Sequence, residues 1–570
     1  MITILNFFDF EVFKNDWLVV IINPFEETKT VIVNDKQRLE EYYAAHKSEI
    51  WIGYNSRHYD VYILKAILCD FDPFDVSDFI INRKCGGWEY SRLFQTIPLY
   101  NYDVAKLNDG GLKTLESYMN HNIKETSVPF DIDRKLTAAE IAETVKYCTH
   151  DVEQTIEVFT RRKSDFDAHM SLINTFGLKL SDISKTQAQL SALILGCVRP
   201  ENDRGDEWDI STVPTLRLNK YAWVRDWFFE NKDYSKNLTV DVCGVPHVFG
   251  WGGLHGAREK YHSRGLLLHV DVNSYYPSLM IEYNLLTRNT RDPNRYREIY
   301  EKRLALKHAG KKAEQAPYKI VLNATFGICK DKFSAAYDPR QANNICINGQ
   351  LLLLDLLEKL EGHCELVQSN TDGLIIKIPD TQAAFDEIDD ICFEWESRTR
   401  MGLGLDVIRE IYQGDVNNYL WIDNDGKYER KGAYVQELNP LKNDLAIVNT
   451  AIVDYLTKKI PVETTVNNCT DYGAFQKVVK ISNKYYAGYH NGRQLNDKTF
   501  RVFASTDPRD GYIGKQKTAG ATVEKFANTP LHCYIENDSI QGVEIPAKLD
   551  RGYYIEMAKK RLLEKFNVRC

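Results

Sequence analysis

The chain has 570 residues, of which 44% are hydrophobic, 27% are charged and 12% are aromatic. This is ordinary globular composition, and the length is sufficient for several domains. The net charge of −8 excludes a uniformly basic surface, but local basic patches remain compatible with it. One such patch is residues 475–525, where ten Lys and Arg against four Asp and Glu leave a net charge of +6. On charge alone, a solvated face explains this patch as well as a nucleic-acid surface does.

Cysteine usage and hydropathy indicate the cellular compartment in which the protein is expected. The 12 Cys residues are scattered, with no pair two to four residues apart, so zinc-ribbon and iron–sulfur spacings are absent. The longest apolar runs, such as residues 17–22, are far too short to cross a bilayer. We expect no signal peptide, no membrane association and a reducing, cytoplasmic compartment with free thiols.

Hydrophobic patterning in the first third of the chain predicts an α/β domain. A helix is predicted over residues 37–45, and a longer one over residues 138–162 with Thr137 as its N-cap. Strands are predicted over residues 4–13, 17–22 and 50–54. This alternation indicates an α/β domain that ends near residue 185.

The rest of the chain predicts a boundary and then a second mixed region. Residues 198–216 are rich in Pro, Asp and Gly, and residues 250–253 are rich in Gly, so both predict boundary loops. A strand, two helices around a polar turn, a β-hairpin and a final helix follow. They are predicted over residues 266–272, 293–309, 318–329, 365–378 and 552–566.

Two acids lie close together on the first predicted strand. Asp9 and Glu11 are two residues apart, so both side chains point to one face of the strand. Paired carboxylates repel each other unless a cation lies between them, and Mg²⁺ prefers oxygen ligands. On this pair alone, a solvent-facing acidic strand end is the simpler interpretation.

Two later segments extend the pattern. Residues 53–60 end in Tyr59 and Asp60, and Tyr147 and Asp151 share one helix face at i and i+4. The order D-x-E, N-x3-Y-D, Y-x3-D resembles the DEDDy exonucleases of proofreading polymerases, which have a ribonuclease H-like fold. The resemblance implies that Tyr147 orients the attacking water and that Asn55 and Tyr59 contact a single-stranded 3′ end. It implies four ligands for two metal ions, namely Asp9, Glu11, Asp60 and Asp151. The second segment has one residue more than the commonest form.

A second set of motifs begins at residue 269. The segment H-V-D-V-N-S-Y-Y-P-S-L-M, residues 269–280, closely resembles motif A of family B DNA polymerases. An acid at a strand end before a tight turn can reach a metal while the following amides face a triphosphate. The resemblance implies that Asp271 is a metal ligand and that Ser274 and Tyr276 bind the nucleotide, with Tyr276 packed beneath the sugar.

The next segment resembles motif B, K-x3-N-S-x-Y-G. Lys319, Asn323 and Gly327 fall on one helical face, where Lys suits a phosphate and Gly admits the base pair. Ala324 and Phe326 replace Ser and Tyr, which removes two hydroxyl groups. Upstream, Arg303 and Lys307 at i and i+4 are further candidate triphosphate ligands, although a solvated helix face is an alternative interpretation.

The third segment has the hairpin context of motif C, D-T-D-S. Here Asn370 replaces the first Asp and Gly373 replaces the Ser, while Asp372 stands at the position of the metal ligand. The resemblance implies that Asp271 and Asp372 lie on neighbouring strands and bind two Mg²⁺ or Mn²⁺ ions. For this segment alone, an ordinary hairpin turn is the simpler interpretation.

Weaker similarities complete the pattern of DNA contacts. Gly252 and Gly253 resemble the Y-x-G-G motif that contacts template DNA, although Gly250 stands where Tyr is expected. Lys431 and Tyr434 resemble the K-K-x-Y element that holds the primer terminus, with the Tyr displaced. Thr371 at the hairpin tip is a further candidate DNA contact.

The combined motifs predict a multidomain α/β and α+β chain, with a ribonuclease H-like exonuclease and a right-hand polymerase of palm, fingers and thumb. The exonuclease is predicted over residues 1–185, and a connecting region follows over residues 186–260. The polymerase regions are the palm over residues 261–292 and 329–435, the fingers over residues 293–328 and the thumb or DNA-binding tail over residues 436–570.

The resemblance implies a monomeric proofreading DNA polymerase with two metal ions in each active site. Its expected partners are primer–template DNA, dNTPs and the replication proteins of a phage or mobile element, in the host cytoplasm. From Asp271 to Lys319 there are only 48 positions, which leaves no room for the insertion of protein-primed relatives and favours ordinary priming. The alternatives are a nuclease or nucleic-acid-binding protein whose polymerase site has decayed, and a primase-polymerase.

Overall fold

The computed structural model describes residues 4–570, and the chain folds into two compact units. Unit 1 contains the chain up to Thr186 together with Leu438–Ala446 and Cys469–Tyr553. Unit 2 contains Gln187–Glu437, Ile447–Asn468 and Tyr554–Cys570. Among the described residues, no helix has the length and apolar character needed to cross a membrane.

Unit 1 begins with a five-stranded sheet flanked by helices. The strands run in the order β3-β2-β1-β4-β5, with β2 antiparallel to β1, and with β4 parallel to both β1 and β5. The elements are β1 (Leu5–Val12), β2 (Trp17–Asn23), β3 (Thr28–Val33), α1 (Lys36–His46), β4 (Ile50–Gly53), α2 (Asp60–Leu68), α3 (Pro73–Ile81), α4 (Gly87–Tyr90), β5 (Tyr100–Asp103), α5 (Leu112–Tyr118), α6 (Ala138–Arg161) and α7 (Lys163–Thr175). Two short 3-10 helices lie at Arg92–Thr96 and Leu180–Ser184.

Strand β1 is buried on both faces, and its alternating side chains decide which groups meet. Phe8 and Phe10 point to one face, where Phe8 packs edge-on against Trp51 at 5.3 Å between ring centroids. Phe7 points to the other face, towards α6, and its ring centroid lies 5.2 Å from that of Phe159. Asp9 and Glu11 share the Phe7 face by strand alternation, so the fold places both acids beneath α6.

Helix α6 begins where the sequence predicts it. The Thr137 hydroxyl accepts a hydrogen bond from the Glu140 amide at 3.3 Å, and the Glu140 carboxylate accepts one from the Thr137 amide at 2.8 Å. This reciprocal capping box satisfies two amides that would otherwise lack partners. The helix therefore starts at a fixed residue, which sets the rotation that directs Asp151 towards β1.

Unit 2 is built around one antiparallel sheet of nine strands, in the order β14-β13-β12-β9-β11-β10-β8-β7-β6. Its central strands are lined by apolar side chains such as Leu267, Ile375 and Ile408. The elements are α8 (Gln187–Ile194), α9 (Ala222–Glu230), β6 (Leu238–Val242), β7 (Val245–Phe249), β8 (His255–Ala257), β9 (Tyr261–Val272), α10 (Tyr275–Glu282), α11 (Asn294–His308), α12 (Lys312–Lys330), α13 (Pro339–Leu360), β10 (Glu365–Asn370), β11 (Gly373–Ile378), α14 (Gln382–Thr399), β12 (Leu403–Asp415), β13 (Asn418–Asp423) and β14 (Tyr428–Lys431). The predicted strand, two helices and hairpin are thus confirmed, although α12 begins earlier than predicted and contains Pro317.

The tail alternates between the two units, which differs from the single C-terminal region predicted over residues 436–570. Its strands form a three-stranded sheet, β15-β18-β21, and a four-stranded sheet, β17-β16-β19-β20, both in unit 1. The elements are α15 (Ala446–Lys458), α16 (Val462–Asn468), β15 (Lys477–Lys480), β16 (Ala487–His490), β17 (Arg493–Leu495), β18 (Thr499–Ala504), β19 (Ile513–Gln516), β20 (Glu524–Lys525), β21 (Cys533–Ile535) and α17 (Arg551–Phe566), with a 3-10 helix at Tyr472–Phe475.

One buried cation ties the tail strands to the N-terminal part of unit 1. Arg501 on β18 has no exposed surface, and burial lowers the pKa of its guanidinium to about 10. Its hydrogen bonds, between 2.8 and 3.2 Å, run to oxygens of Gln476, Glu536, Asp538, Ser117 and His121. Arg501 is therefore a structural residue. Because it is buried, it cannot contribute to a basic surface over residues 475–525.

Replacing Arg501 by Met should destabilise unit 1. The change keeps most of the aliphatic length, but it removes the hydrogen bonds that the guanidinium donates to four carbonyl oxygens and to the Gln476 side chain, and we expect a loss of about 3 kcal/mol in the free energy of unfolding. Thermal or denaturant unfolding measures this loss. The control Arg493→Met lies on an exposed position of β17 and should change the free energy by less than about 0.5 kcal/mol. Equal stability of the two variants would contradict the structural role of Arg501.

Candidate active sites

Four carboxylates of unit 1 converge between β1, α2 and α6. Asp9 and Glu11 come from β1, Asp60 is the first residue of α2, and Asp151 lies on α6. The Phe10 amide donates a hydrogen bond to Asp60 Oδ1 at 3.1 Å, which anchors α2 against β1. The structure therefore brings together the four acids that the sequence predicts as ligands.

The electrostatics of this cluster call for a cation. Burial, followed by the repulsion of Asp60 and Glu11, raises the pKa of Asp9 well above its ordinary value. Burial and the repulsion of neighbouring acids likewise raise the pKa of Glu11, while burial raises the pKa of Asp60 to about 7 and that of Asp151 to about 6. A compact set of oxygen donors that resists ionisation fits a hard divalent cation such as Mg²⁺ or Mn²⁺. The Cys148 thiol also lies within reach of the Asp9 and Glu11 oxygens.

A cavity of about 750 Å³ opens beside these acids, lined in part by Asp9, Asp151 and Asn55. The loop that carries Asn55 is held by Asp103, whose carboxylate accepts hydrogen bonds from the amides of Asn55 at 2.9 Å and Arg57 at 3.0 Å. Asn55 itself adopts a left-handed backbone with φ of 60° and is exposed. Its position is suited to contact a ligand in the cavity.

The two predicted tyrosines of this site differ in their surroundings. Tyr59 is half-buried and its hydroxyl is 2.9 Å from Ser77 Oγ, so it takes part in the packing of α2 against α3. The Tyr147 hydroxyl donates to Glu125 Oε2 at 3.1 Å, and burial raises the pKa of the phenol. Tyr147 lies one turn from Asp151 on α6, as the i and i+4 spacing predicts.

Sequence reasoning missed three residues at this site. Lys113 on α5 places its Nζ atom 2.7 Å from Asp151 Oδ1 and 3.1 Å from Glu116 Oε2, and His150 Nε2 lies 3.4 Å from Glu116 Oε2. The only signal was the i and i+3 spacing of Lys113 and Glu116 after two glycines, which is common on exposed helices. Their burial could be recognised only once α5 was placed against α6.

In unit 2, the predicted metal ligands come from strand β9 and from the turn that leads into its neighbour β11. Asp271 on β9 pairs with Gly373 on β11, and the Val272 amide donates to the Asp372 carbonyl oxygen at 2.7 Å. Burial and the neighbouring Asp372 raise the pKa of Asp271 to about 6. Burial also raises the pKa of Asp372, against the opposing charges of His269 and Lys431. The pair fits a divalent cation for the same reason as the cluster in unit 1.

The hairpin tip explains one departure from motif C. A Cβ at Gly373 would lie 3.2 Å from both Asp271 Oδ1 and His269 Nε2, so a larger residue would crowd the acid. Thr371 takes a left-handed backbone with φ of 54°, and a Cβ at Gly253 would lie 2.5 Å from its Oγ1 atom. Thr371 and Gly253 therefore pack together at the tip, next to Asp372.

The predicted nucleotide ligands lie on α10, α11 and α12. Ser274 has a left-handed backbone with φ of 50°, and its hydroxyl accepts a hydrogen bond from Arg303 Nη1 at 2.9 Å. The Tyr276 ring centroid is 4.5 Å from that of Phe326. The remaining predicted ligands are exposed, and they are Lys307, Lys319, Asn323 and Gly327.

The weaker predicted DNA contacts separate into two groups. Gly252 faces open space, and Lys431 at the end of β14 is close enough to Asp372 to lower its pKa. Tyr434 instead packs on α17, where its ring is 5.4 Å from the Arg561 guanidinium and 5.3 Å from Lys565 Nζ. The structure thus places Lys431 near Asp372 and Tyr434 against α17, and their contacts with DNA stay predictions.

Comparisons with known proteins give limited similarity. No family model matches the chain. A solved family B DNA polymerase from the archaeon Pyrobaculum calidifontis is similar with a TM-score of 0.42 and 14% identity, over 100% of this chain and 78% of that chain. The gyrase A protein of Metamycoplasma arthritidis, a component of DNA gyrase, is 35% identical over 88 residues, which are 15% of this chain and 10% of that protein. The chain therefore spans about a tenth of the length of this curated relative.

The raised pKa of Asp60 predicts that the metal-free site lowers the folding stability of the protein in a pH-dependent way. Asp60 would ionise near its ordinary pKa of 3.8 in the unfolded chain but only near 7 in the folded one. Folding stability is therefore lost as the pH rises through this window, and the loss is complete above it. Asp60→Asn removes this contribution while keeping an acceptor for the Phe10 amide.

In EDTA, we expect the melting temperature of Asp60→Asn minus that of the parent to increase by several degrees between about pH 4 and pH 7, and then to level off. Thermal unfolding followed by circular dichroism measures it. A difference that stays constant with pH would contradict the raised pKa.

Proposed function

We propose that the chain is a DNA-templated DNA polymerase with its own 3′→5′ proofreading exonuclease. The observation that carries the proposal is the adjacency of Asp271, at the end of β9, and Asp372, in the turn before β11, in a unit whose helices α11 and α12 carry exposed basic side chains. Unit 1 holds a second, separate cluster of carboxylates. Two such sites in one chain suit two phosphoryl-transfer reactions, one synthetic and one hydrolytic.

For synthesis, the side chains of α11 and α12 supply positive charge to an incoming dNTP. Lys307 and Lys319 are exposed and suited to the triphosphate, and Arg303 holds the Ser274 hydroxyl at the turn after β9. The Tyr276 ring, packed against Phe326, forms a flat surface beneath the sugar and base. Divalent cations bound by the two acids would neutralise the triphosphate and lower the pKa of the primer 3′-hydroxyl.

For proofreading, the cavity of unit 1 would hold the single-stranded 3′ end. Asn55 faces this cavity together with Asp9 and Asp151. Tyr147 positions a water molecule by its hydroxyl, and Glu125 accepts a hydrogen bond from that hydroxyl and so fixes its orientation. The four acids would hold the metal ions that activate this water.

One alternative has a specific observation in its favour. Asn370 replaces an acid of motif C and pairs with His255 across β10 and β8, so the tip carries one charge fewer than the family pattern. A nuclease whose polymerase site has decayed would also have this feature. The retained Asp372, which is the metal ligand of the motif, favours an active polymerase.

Single substitutions should separate the two reactions. Asp271→Ala should reduce the rate of primer extension by more than about a thousandfold and leave primer degradation intact, because it removes a metal ligand of unit 2 only. Asp9→Ala should do the reverse. A gel assay with a labelled primer–template, with and without dNTPs, measures both reactions.

The exposed acids Asp425 and Asp131 provide matched controls, because Asp425→Ala and Asp131→Ala remove a carboxylate from each unit away from the clusters. Both controls should retain extension and degradation. Degradation without any extension by the parent chain would leave the decayed-polymerase alternative, and loss of both reactions in Asp425→Ala would point to general instability.

Fewer basic side chains over residues 475–525 are available to bind a ligand than the sequence implies. Lys477 pairs with Asp444, Lys515 donates to the Tyr485 hydroxyl, and Arg501 is buried. Lys484, Lys498 and Lys517 remain exposed, and we propose that they contact DNA phosphates.

Duplex affinity should fall steeply with salt, and the triple substitution of Lys484, Lys498 and Lys517 by Gln should reduce the slope of log Kd against log salt by about 2 to 3. Fluorescence anisotropy with a labelled primer–template measures both quantities. A salt-independent Kd, or an unchanged slope, would contradict phosphate contacts by these lysines.

We further propose ordinary priming, with two Mg²⁺ or Mn²⁺ ions in each site, and a role in copying a phage or mobile-element genome. The short connection from Asp271 to Lys319 forms only α10 and the hairpin of α11 and α12. Attachment of the first nucleotide to a protein hydroxyl in an initiation assay would contradict ordinary priming.

A further inference from the structure

Lys113 lies in the carboxylate cluster of unit 1. The predicted set of metal ligands contains only acids, so a positively charged side chain of the protein is unexpected there. Its Nζ atom is 2.7 Å from Asp151 Oδ1 and 4.7 Å from the centroid of the Tyr147 ring. The Lys113 side chain is only 11% exposed. The ammonium therefore contacts both the predicted metal ligand and the predicted water-positioning tyrosine on α6.

Glu116, one turn further along α5, completes the arrangement. This carboxylate is fully buried, and its Oε2 atom accepts from Lys113 at 3.1 Å while His150 lies 3.4 Å away. Its other oxygen, Oε1, is also buried and makes no hydrogen bond to any described residue. A buried carboxylate oxygen without a donor costs free energy, and Oε1 therefore gains a hydrogen bond if the neighbouring ammonium group turns towards it.

We propose that Lys113 is a tethered counter-cation of the exonuclease site, which bridges Asp151 and Glu116 in the metal-free protein and moves wholly onto Glu116 when a divalent ion binds. The proposal rests on the proposed function, because it assumes that Asp151 is a metal ligand. The ammonium group and the divalent ion compete for the same carboxylate. The unused Oε1 atom of Glu116 provides the second acceptor that the displaced ammonium needs.

The competition between the ammonium group and the metal ion predicts the direction in which each substitution changes metal affinity. A divalent ion that binds beside Asp151 must overcome the repulsion of the nearby ammonium, and it must also replace the hydrogen bond to Oδ1. Removing the ammonium should therefore strengthen metal binding, while it leaves the metal-free acids without their counter-charge. Removing the charge of Glu116 should do the opposite, since Lys113 would then remain on Asp151.

The test is direct Mn²⁺ binding by electron paramagnetic resonance, in the Asp271→Ala background so that the acids of unit 2 contribute less. Lys113→Met should lower the Kd of the unit 1 site about tenfold, and should lower the melting temperature in EDTA. Glu116→Gln should raise this Kd by several-fold. Lys113→Arg, which keeps the charge, should remain close to the parent.

The matched control is Lys47→Met, an exposed lysine at the end of α1 in the same unit, which should change neither quantity. An unchanged or weakened Mn²⁺ affinity in Lys113→Met would overturn the proposal and make Lys113 a purely structural support for Asp151. If Lys113→Met does not fold, Glu116→Gln decides alone, and an unchanged or tighter Kd would overturn the proposal.

These measurements do not depend on nuclease activity. If Asp9→Ala has no effect on primer degradation while Lys113→Met still tightens Mn²⁺ binding, then the proposed function fails and the counter-cation remains. If degradation depends on Asp9 but the Mn²⁺ affinity is unaffected by Lys113→Met, then the counter-cation fails and the exonuclease remains.

Discussion

Carboxylates that lie close together in a partly buried site resist ionising together without a neighbouring positive charge, and this constraint shapes both units of the chain. In unit 1, Asp9 and Glu11 are brought together by strand alternation and joined by Asp60 and Asp151 from two helices. In unit 2, Asp271 and Asp372 are brought together by strand pairing. In each case the backbone is anchored by ordinary hydrogen bonds, so the fold itself enforces the proximity of like charges.

The two units differ in how the opposing charge is provided. Lys113 lies directly on Asp151 in unit 1, whereas the charges that favour ionisation of Asp372 in unit 2 come from His269 and Lys431. A lysine bonded at 2.7 Å within a buried cluster is a far closer partner than charges that act without a hydrogen bond. Unit 1 thus has a hydrogen-bonded counter-charge, yet the pKa values of Asp9 and Glu11 stay well above their ordinary values, so one ammonium group does not balance its four acids.

Local patterns predicted what depends on neighbours in the sequence. The capping box at Thr137, the strand carrying Asp9 and Glu11, and the hairpin that carries Asp372 all follow from short-range spacing, and the structure has them where the sequence places them. The motif resemblance also grouped Asp60 and Asp151 with Asp9, which spacing alone could not do.

Contacts between residues far apart in the chain could not be predicted from the sequence. Arg501 looks like one more surface cation of a basic stretch, and its burial depends on carbonyl oxygens that lie 384 and 380 residues away along the chain. Tyr434 was predicted to hold the primer terminus from a motif alone, and the sequence could not show that its ring lies 5.4 Å from the Arg561 guanidinium and 5.3 Å from Lys565 Nζ on α17. Lys113 and Glu116 resemble an exposed helical pair until α5 is placed against α6.

The division of the tail has a consequence for how the molecule is made. Because the Arg501 guanidinium bonds to the carbonyl oxygens of Ser117 and His121, the first unit to leave the ribosome cannot reach its final contacts until residue 501 has followed. Most of unit 2, Gln187–Glu437, lies in the chain between these partners, but Ile447–Asn468 and Tyr554–Cys570 also belong to it, so unit 2 too is completed only when its last segment has been made. A fragment that stops after residue 186 would lack these donors, and chain length, rather than local sequence, would then limit when the N-terminal acids become a finished site.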